Sequence, residues 1–351
     1  MGGEHDATKN VARGRRGQGA PSIATVARRA GVSAATVSRV VNGVPNKVSK
    51  ETLARVREAI AALNYRPMRA GITLRTKQTR LVALLIPDLA NSFYAAVAAA
   101  VEQTLAAENL TMIVGNTAEN ATIQDDYLRE MRAHMVRGIA LFGAVESPIL
   151  TEFVESGEPV LFVNRPPPGG LAGPFVGIDN AAAGRDVARH IAACGRAHPA
   201  VIHGPLSSPA SADRLNGFLE SMADIGRPLT SDRLHQADLS MIGGYGGAAA
   251  LLDLDPRPTA IFCGNDQIAY GVYRRCREHG LSVPGDVALF GFDDNPMNQW
   301  IAPWLSTVRV PYDAFGPAVR DLFNSIWSGG HAGPPRQIIL PHELILRQPS
   351  S

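Results

Sequence analysis

Residues 22–43 of the chain have the sequence Ser-Ile-Ala-Thr-Val-Ala-Arg-Arg-Ala-Gly-Val-Ser-Ala-Ala-Thr-Val-Ser-Arg-Val-Val-Asn-Gly. Apolar residues recur at helical spacing on one face of each half, at Ile23, Val26, Ala27 and Ala30 and then at Val37, Val40 and Val41. Gly31 interrupts this pattern, and Ser22 and Ser33 stand where N-cap oxygens accept unpaired backbone amides. The stretch therefore predicts two short helices joined by a tight turn, the form of a DNA-reading helix-turn-helix.

The second predicted helix has an outer surface of small and hydrogen-bonding side chains. Its members are Ala34, Ala35, Thr36, Ser38, Arg39 and Asn42. Small side chains let a helix approach base edges closely, and a terminal cation suits a nucleic acid. On this pattern alone, a helical hairpin that only packs remains an alternative. A third helix is predicted to begin at Ser49, with Val48 and Leu53 as its hydrophobic staple.

The distribution of charge favours DNA binding. Residues 21–80 contain twelve Lys and Arg against two Glu, a balance of +10, and residues 1–20 add +2. Because the whole chain carries only +2, residues 81–351 carry −10. A basic module beside an acidic body is typical of a protein that binds the phosphate backbone in one orientation.

Length and composition bound the rest of the chain. Its 351 residues, 45% of them apolar, suffice for two or three domains with sizeable cores. No apolar run reaches the roughly 18 residues of a membrane span, and no signal-peptide core is present, so we expect a cytoplasmic protein without a membrane partner. The three scattered cysteines predict neither a disulfide framework nor a metal pair. We expect no metal and no cofactor.

Beyond residue 80, apolar runs of strand length alternate with segments of helix length. The predicted strands cover residues 81–86, 110–114, 139–142, 160–163, 200–202, 260–263 and 287–290. Parallel strands joined by crossover helices are the expected result, a doubly wound α/β architecture. The pattern runs twice, which predicts two similar lobes whose ligands lie outside the carboxyl ends of the strands.

Polar side chains cluster at those strand ends. They are Asp88, Asn91, Ser92, Phe93 and Tyr94, then Asn164 and Arg165, and in the second half Arg214, Asn265, Asp266, Asp293 and Asp294. Amide, carboxylate and guanidinium groups beside an aromatic face suit a polyhydroxylated ligand, because they bind adjacent hydroxyls while a ring covers the apolar side. Each residue alone is also compatible with a helix cap, Asp266 and Ser92 in particular.

Five motifs make the chain resemble the lactose/galactose repressor family of bacterial transcriptional regulators from about residue 22 to 347. They are residues 26–43, Asn-Tyr-Arg-Pro at 64–67, Ile-Pro-Asp-Leu-Ala-Asn-Ser-Phe-Tyr at 86–94, Gly-Asn-Asp-Gln-Ile-Ala-Tyr-Gly at 264–271 and Val-Pro-Gly-Asp-Val-Ala-Leu-Phe-Gly-Phe-Asp-Asp at 283–294. The resemblance implies an all-α headpiece, a hinge helix and a two-lobed core like that of periplasmic sugar-binding proteins. It also implies a homodimer, or a tetramer built from it, that binds a near-palindromic operator under the control of a small effector.

The domains expected on this basis are four. They are a disordered basic tail at 1–20, a helix-turn-helix domain at 21–66, a hinge helix and linker at 67–80 and an effector-binding core at 81–351. Within the core, one lobe is expected at about 81–176 with 312–336, and the other at 177–310 with 337–347.

The resemblance also assigns contacts residue by residue. Base and groove contacts are implied for Ala34, Ala35, Thr36, Ser38, Arg39 and the hinge leucine Leu74, and phosphate contacts for Ser22, Ser33 and Asn42. Effector contacts are implied for Ser92, Phe93, Asn164, Arg214, Leu239, Asn265 and Asp293, with Arg165 beside them. Whether the effector releases or tightens operator binding is not implied by these residues.

Some positions depart from the family pattern. Met68 replaces an Asn that usually caps the hinge helix, and Gly71 adds about 1 kcal/mol of helix cost, so the hinge should become ordered only on DNA. Ser92 replaces a common Pro, Asn164 a frequent Asp and Leu239 a frequent aromatic residue. The lost carboxylate favours a sugar acid or sugar phosphate over a neutral sugar, and the lost ring disfavours a flat purine.

Other classes of protein fit less of the chain. Gly244, Gly246 and Ala249, with Asp266 twenty residues beyond Gly246, match a dinucleotide fingerprint, but no strand is predicted before Gly244 and the segment predicts a helix after Ser240. A transport-type binding protein would not explain the headpiece, and a DNA-architectural protein would not explain the body. We therefore expect no enzymatic activity.

Overall fold

The computed structural model describes residues 21–41, 48–66, 79–329 and 333–347. The chain divides into two units between residues 77 and 78. The tail at 1–20, most of the predicted hinge and the predicted DNA contacts Asn42 and Leu74 lie outside the described residues.

The first unit, here called the headpiece, contains three helices. They are α1 (Ile23–Ala30), α2 (Ala34–Val41) and α3 (Lys50–Ala62). The buried side chains Val26, Val37 and Val56 bring one face of each helix into a single small core. Ser22 and Ser49 cap α1 and α3 by accepting the backbone N–H three residues on. The two-helix pattern, its break at Gly31 and the third helix are thus confirmed.

The second unit, here called the core, contains two six-stranded sheets that define its two lobes. The strands are β1 (Leu81–Ile86), β2 (Thr111–Asn116), β3 (Gly138–Phe142), β4 (Val160–Val163), β5 (Phe175–Ile178), β6 (Pro199–His203), β7 (Leu234–Gln236), β8 (Ala260–Cys263), β9 (Ala288–Asp293), β10 (Ser306–Arg309), β11 (Gln337–Leu340) and β12 (Glu343–Ile345). The first sheet has the order β11-β5-β4-β3-β1-β2, and the second has the order β12-β10-β9-β8-β6-β7.

Helices cover both faces of these sheets. They are α4 (Ser92–Ala107), α5 (Ala121–Ala133), α6 (Pro148–Glu155), α7 (Asn180–Ala193), α8 (Pro209–Asp224), α9 (Met241–Leu252), α10 (Asp266–Glu278), α11 (Asn298–Ile301) and α12 (Tyr312–Trp327). All described pairings are parallel except that of β10 with β12. Strands buried on both faces, such as β1 and β4, account for the continuous apolar runs in the sequence.

The lobe boundaries differ from the predicted ones. We expected residues 337–347 in the second lobe, but β11 pairs with β5 in the first sheet, and only β12 joins the second. All of β5 likewise belongs to the first sheet, although the predicted boundary fell inside it. The chain therefore crosses between the lobes after β5, between β10 and α12, and between β11 and β12.

The glycine-rich segment that matches a dinucleotide fingerprint lies within α9. The prediction that no strand precedes it was wrong, since β7 ends five residues before α9. The predicted helix after Ser240 is confirmed, and Ser240 caps it. Gly244 and Gly246 therefore stand inside a helix, whereas a dinucleotide site needs them in the turn between strand and helix.

Candidate functional site

One candidate surface is the outer side of α2 in the headpiece. The predicted DNA contacts Ser22, Ser33, Ala34, Ala35 and Arg39 are exposed, and Thr36 and Ser38 are half-buried. Ser33 also stabilises the start of α2, because its Oγ accepts the backbone N–H of Thr36 at 3.1 Å. The opposite face of α2 is buried at Val37. The helix thus presents small polar groups and a cation on its outer side.

A second candidate site lies in the core, between the carboxyl ends of the two sheets. A cavity of about 450 Å³ lies there. The first lobe lines it with Pro87, Asp88, Asn116, Ala118, Glu119 and Arg165, and the second lobe lines it with Pro205, Ser208 and Leu239. Two of the predicted effector contacts, Arg165 and Leu239, therefore lie on its wall. We refer to this cavity as the cleft.

Arg165 forms part of the first-lobe wall of the cleft. It follows Asn164, whose φ of +66° turns the chain at the end of β4. One guanidinium nitrogen donates to Glu119 Oε1 at 2.8 Å. Within the part of the chain that the structure describes, Arg165 Nε and Ser208 Oγ are buried without a hydrogen-bond partner. Because buried polar atoms nearly always have partners, these two mark the cleft wall as a place for a polar ligand.

Arg214 is held in the second lobe by neutral groups. Its Nε donates to Asn180 Oδ1 and its Nη1 to the Gly264 carbonyl, both at 2.8 Å. The guanidinium carbon lies 3.5 Å from the centre of the Phe292 ring. Among the described residues, no carboxylate lies within 4.0 Å of this buried cation, and burial lowers its pKa. A ligand oxygen is thus the kind of group that this guanidinium still accommodates.

Asp293 ends β9 on the same side of the second lobe. It is 9% exposed and has a φ of +103°. Burial raises the pKa of its carboxyl to about 8, although the charge of Arg214 opposes the rise. The carboxyl therefore holds its proton in most molecules at neutral pH and offers both a donor and an acceptor.

The groups of the two lobes converge around Tyr94. Burial raises the pKa of its hydroxyl to about 12, and charges from both lobes act on it: Arg165 and Glu119 from the first, Asp293 and Arg214 from the second. Its neighbour Phe93 is buried, with a ring centroid 5.2 Å from that of Tyr94 and 5.9 Å from that of Tyr312. Phe93 thus belongs to an aromatic cluster and is not among the residues that line the cleft.

The remaining predicted contacts have structural partners. Asn265 caps α10, where its Oδ1 accepts the Ile268 N–H at 2.9 Å, and its Nδ2 donates to the Leu239 carbonyl at 3.3 Å. Ser92 accepts a hydrogen bond from Asn295 at 2.6 Å. Asp266 is buried, and its carboxylate accepts hydrogen bonds from Thr307, from Asn298 and from the Asn295 backbone N–H. Asp266 is thus engaged inside the second lobe.

Several cleft residues were missing from the sequence prediction. Asn116 is the last residue of β2, and Ser208 lies in the loop after β6, so the rule that singled out Arg165 would also have found them. Glu119 stands three residues beyond β2, so the same rule also reaches it. We find no group of three or more metal-ligating residues among the described residues, and no described helix has the length and apolarity to span a membrane.

The comparisons with known proteins agree with this architecture. Residues 22–68 match the family described as bacterial regulatory proteins, lacI family, and residues 186–350 match a periplasmic binding protein-like domain. Catabolite control protein A of Priestia megaterium is 32% identical over 330 residues, which cover 93% of this chain and 98% of that protein. The transcriptional repressor CytR of Escherichia coli K12 is 28% identical, with 93% and 96% of the two chains covered.

Solved structures extend the likeness to the whole fold. The lac repressor dimer bound to operator and the anti-inducer ONPF superimposes with a TM-score of 0.83 at 25% identity, covering 94% of this chain and 99% of that one. The complex of the regulator CelR with cellobiose gives a TM-score of 0.70 at 27% identity, covering 93% and 99%. The helix-turn-helix headpiece, the two parallel-sheet lobes and the 32% identity over nearly the full length together place this chain in the lacI family of bacterial DNA-binding transcriptional regulators.

Proposed function

We propose that this regulator is a repressor whose affinity for its operator is set by a small polyhydroxylated effector bound in the cleft. The observation that carries the proposal is the convergence of strand-end residues from both lobes on one cavity, with two buried polar atoms unpartnered at its wall. Relatives of the same architecture are solved with ligands, the anti-inducer ONPF and cellobiose. A ligand of sugar size suits a cavity of this volume.

The charges at the cleft favour a sugar acid among the sugar-like ligands. On the first-lobe side, Asp88 and Glu119 provide acceptors for hydroxyl groups. In the second lobe, Arg214 and Asp293 are not among the residues that line the cleft, but Arg214 has no carboxylate partner among the described residues, and burial raises the pKa of the Asp293 carboxyl to about 8. A ligand with hydroxyls at one end and a carboxylate at the other satisfies both sides. A sugar phosphate suits the site less well, because it carries a second negative charge.

The DNA-binding role rests on the headpiece. Arg39 and the small residues Ala34 and Ala35 are exposed on α2, which lets the helix approach the major groove. The solved lac repressor dimer is bound to operator, and we propose a near-palindromic operator for this chain as well. A protein with two-fold symmetry recognises a site with matching symmetry.

An exposed apolar face on the second lobe supports a homodimer. Ile242 at the start of α9 is 86% exposed, and Trp300 in α11 is 79% exposed. Both helices contact α10, since Gly271 lies against Met241 and Tyr270 donates to Asn298 Oδ1 at 2.6 Å. Large apolar side chains as exposed as these are candidates for burial in a protein–protein interface. We propose that a second copy covers this face.

The effector acts by shifting a population. It contacts both lobes and stabilises one lobe arrangement, and that arrangement sets the spacing of the two headpieces in the dimer. Only one spacing fits adjacent half-sites. The size of the response therefore equals the difference in effector affinity between the two arrangements.

A thermal-shift screen of the full chain tests the effector proposal. Glucose, gluconate, glucuronate and glucose 6-phosphate form a matched panel that separates neutral, carboxylate and phosphate ligands. A ligand at a hundredfold its Kd adds about 2.7 kcal/mol to the unfolding free energy. We expect a sugar acid to raise the Tm, and the rise should disappear in Arg214→Ala. If no member of a wider sugar panel changes the Tm, the effector proposal is wrong.

An operator selected from random duplexes tests the DNA proposal. Arg39→Ala should cost roughly 1 to 3 kcal/mol on the selected operator and much less on random DNA, because a base contact is lost. Lys50→Ala, outside α2, is the matched control and should weaken binding to both DNAs alike. Equal losses on both DNAs for Arg39→Ala would reduce Arg39 to a phosphate contact.

A further inference from the structure

We infer that Ser92 and Asn295 form a latch between the lobes that positions the Asp293 segment, residues 293–295, in the lobe arrangement of this structure. Ser92 begins α4 in the first lobe, and Asn295 lies two residues beyond β9 in the second lobe. Asn295 Nδ2 donates to Ser92 Oγ at 2.6 Å. This hydrogen bond joins the two lobes directly.

The Ser92 hydroxyl is available for the latch because another residue caps the helix. Asn91 is the N-cap of α4, and its Oδ1 accepts the Phe93 backbone N–H at 3.0 Å. The first turn of α4 therefore does not depend on the Ser92 side chain. A proline, which is common at this position in the family, has no hydroxyl and could not accept this hydrogen bond.

The backbone N–H and the side-chain oxygen of Asn295 form hydrogen bonds within the second lobe. Its backbone N–H donates to Asp266 Oδ2 at 2.7 Å, and its Oδ1 accepts the Met297 N–H at 2.9 Å. The side chain is 9% exposed. With its oxygen and backbone engaged, Asn295 transmits a displacement of Ser92 to the second lobe through one side-chain nitrogen.

A second bond from the first lobe holds the same segment. The Tyr312 hydroxyl, at the start of α12, donates to the Asp293 carbonyl at 2.8 Å. Asp293 and Asp294 have φ values of +103° and +53°, which bulky L-residues adopt rarely and only when their surroundings hold them there. The Asp293 segment is thus attached to the second sheet by its strand and to the first lobe by Ser92 and Tyr312.

This arrangement couples the lobe angle to the effector site. Rotation of the lobes must break the Asn295–Ser92 bond or move the Asp293 carboxyl, and an effector held by that carboxyl favours the state in which the bond is made. The response to effector rests on the function proposed above. The latch itself does not, since it rests on the hydrogen bonds of Asn295 with Ser92 and of Tyr312 with Asp293.

Hydrogen exchange of the ligand-free full chain, followed by mass spectrometry, tests the latch. Ser92→Ala should raise the exchange rate of peptides covering residues 293–298 about fivefold, the change that a hydrogen bond worth roughly 1 kcal/mol produces. Ser92→Thr keeps the hydroxyl and should exchange as the parent does. Ser328→Ala is the matched control, because the Ser328 hydroxyl donates only within its own helix, to Asn324 and Ser325.

Additivity provides a second readout. If the two residues act through one bond, Asn295→Ala and the Ser92→Ala/Asn295→Ala double variant should show the same exchange at residues 293–298. Unchanged exchange there in Ser92→Ala, or an equal rise in Ser328→Ala, would overturn the latch. If the latch variants behave as expected while no sugar-type ligand raises the Tm, the latch stands and the effector proposal fails.

Discussion

The close contact between α9 and α10 yields a quantitative prediction. A Cβ at Gly244 would stand 2.1 Å from the Ile268 carbonyl oxygen and 2.7 Å from the Ile268 Cα, both backbone atoms. Gly246 lies two residues further along the same helix, and a Cβ there would meet no atom within 4 Å. Gly244→Ala and Gly246→Ala are therefore the same chemical change in two surroundings.

The two substitutions should have effects of opposite sign. Alanine is favoured over glycine inside a helix by about 1 kcal/mol, which is the expected gain for Gly246→Ala. Ordinary contacts lie above 3.4 Å, so Gly244→Ala forces the two helices more than 1 Å apart. Overpacking of this kind costs roughly 1 to 3 kcal/mol. Because backbone atoms cannot rotate away, we expect the upper end of that range and a net loss of about 2 kcal/mol.

Urea unfolding followed by tryptophan fluorescence measures both values. All three tryptophans of the chain lie in the core, and the Trp304 ring stacks on Tyr273 of α10 at 4.0 Å. In a unit of this size the changes correspond to a rise of about 2 to 4 °C in Tm for Gly246→Ala and a fall of about twice that for Gly244→Ala. Stabilisation by both substitutions would refute the packing argument.

Three further predictions concern titration, the hinge and the dimer. Asp293→Asn should reduce the loss of unfolding free energy between pH 6 and pH 9. The raised pKa of Asp293 stabilises the fold at low pH, and this contribution is lost as the pH rises through about 8. Urea titrations at pH 6 and pH 9 measure the unfolding free energy of the parent and the variant. Met68→Asn should tighten operator binding by about 0.5 to 2 kcal/mol through a new cap, and Leu74→Ala should reduce operator bending in a circular-permutation gel shift. Ile242→Asp should raise the dimer dissociation constant at least about tenfold in sedimentation experiments, because a charge opposes burial.

Each of these predictions has a result that contradicts it. Equal pH dependence in the parent and in Asp293→Asn would place the titration at another group. Unchanged affinity with Met68→Asn would count against a missing cap, and an unchanged bend with Leu74→Ala would exclude a leucine wedge. Ile339→Asp, an exposed apolar position in the first lobe, is the control for Ile242→Asp, and equal weakening by both would exclude a specific interface.

The headpiece was predictable because its signals are local. Caps at Ser22, Ser33 and Ser49 lie within three residues of the amides they bind, and the spacing of Val26 and Val37 follows from helix geometry alone. The central strands β1, β4 and β8 were equally clear as short, continuous apolar runs.

Edge strands and cross-lobe contacts were not predictable in this way. The strand β11 has only four residues, two of them exposed, and its partner β5 is more than 150 residues away in the sequence, so only the folded core places β11 in the first sheet. Arg214 is not a strand-end residue as expected, since it lies inside α8, eleven residues beyond β6. Asp293 could be found because it ends β9. The hydrogen bonds of Asn295 and Tyr312 could not be predicted, since their partners belong to the other lobe.

The pairing of β11 and β12 has a consequence for synthesis on the ribosome. Each strand supplies one edge of a sheet, and both come after residue 336. Neither sheet can therefore be completed until nearly the whole chain has emerged, whereas the headpiece residues emerge first and form a separate unit. A nascent chain stalled before residue 337 would carry a finished headpiece on two incomplete sheets, each of which lacks one of its edge strands.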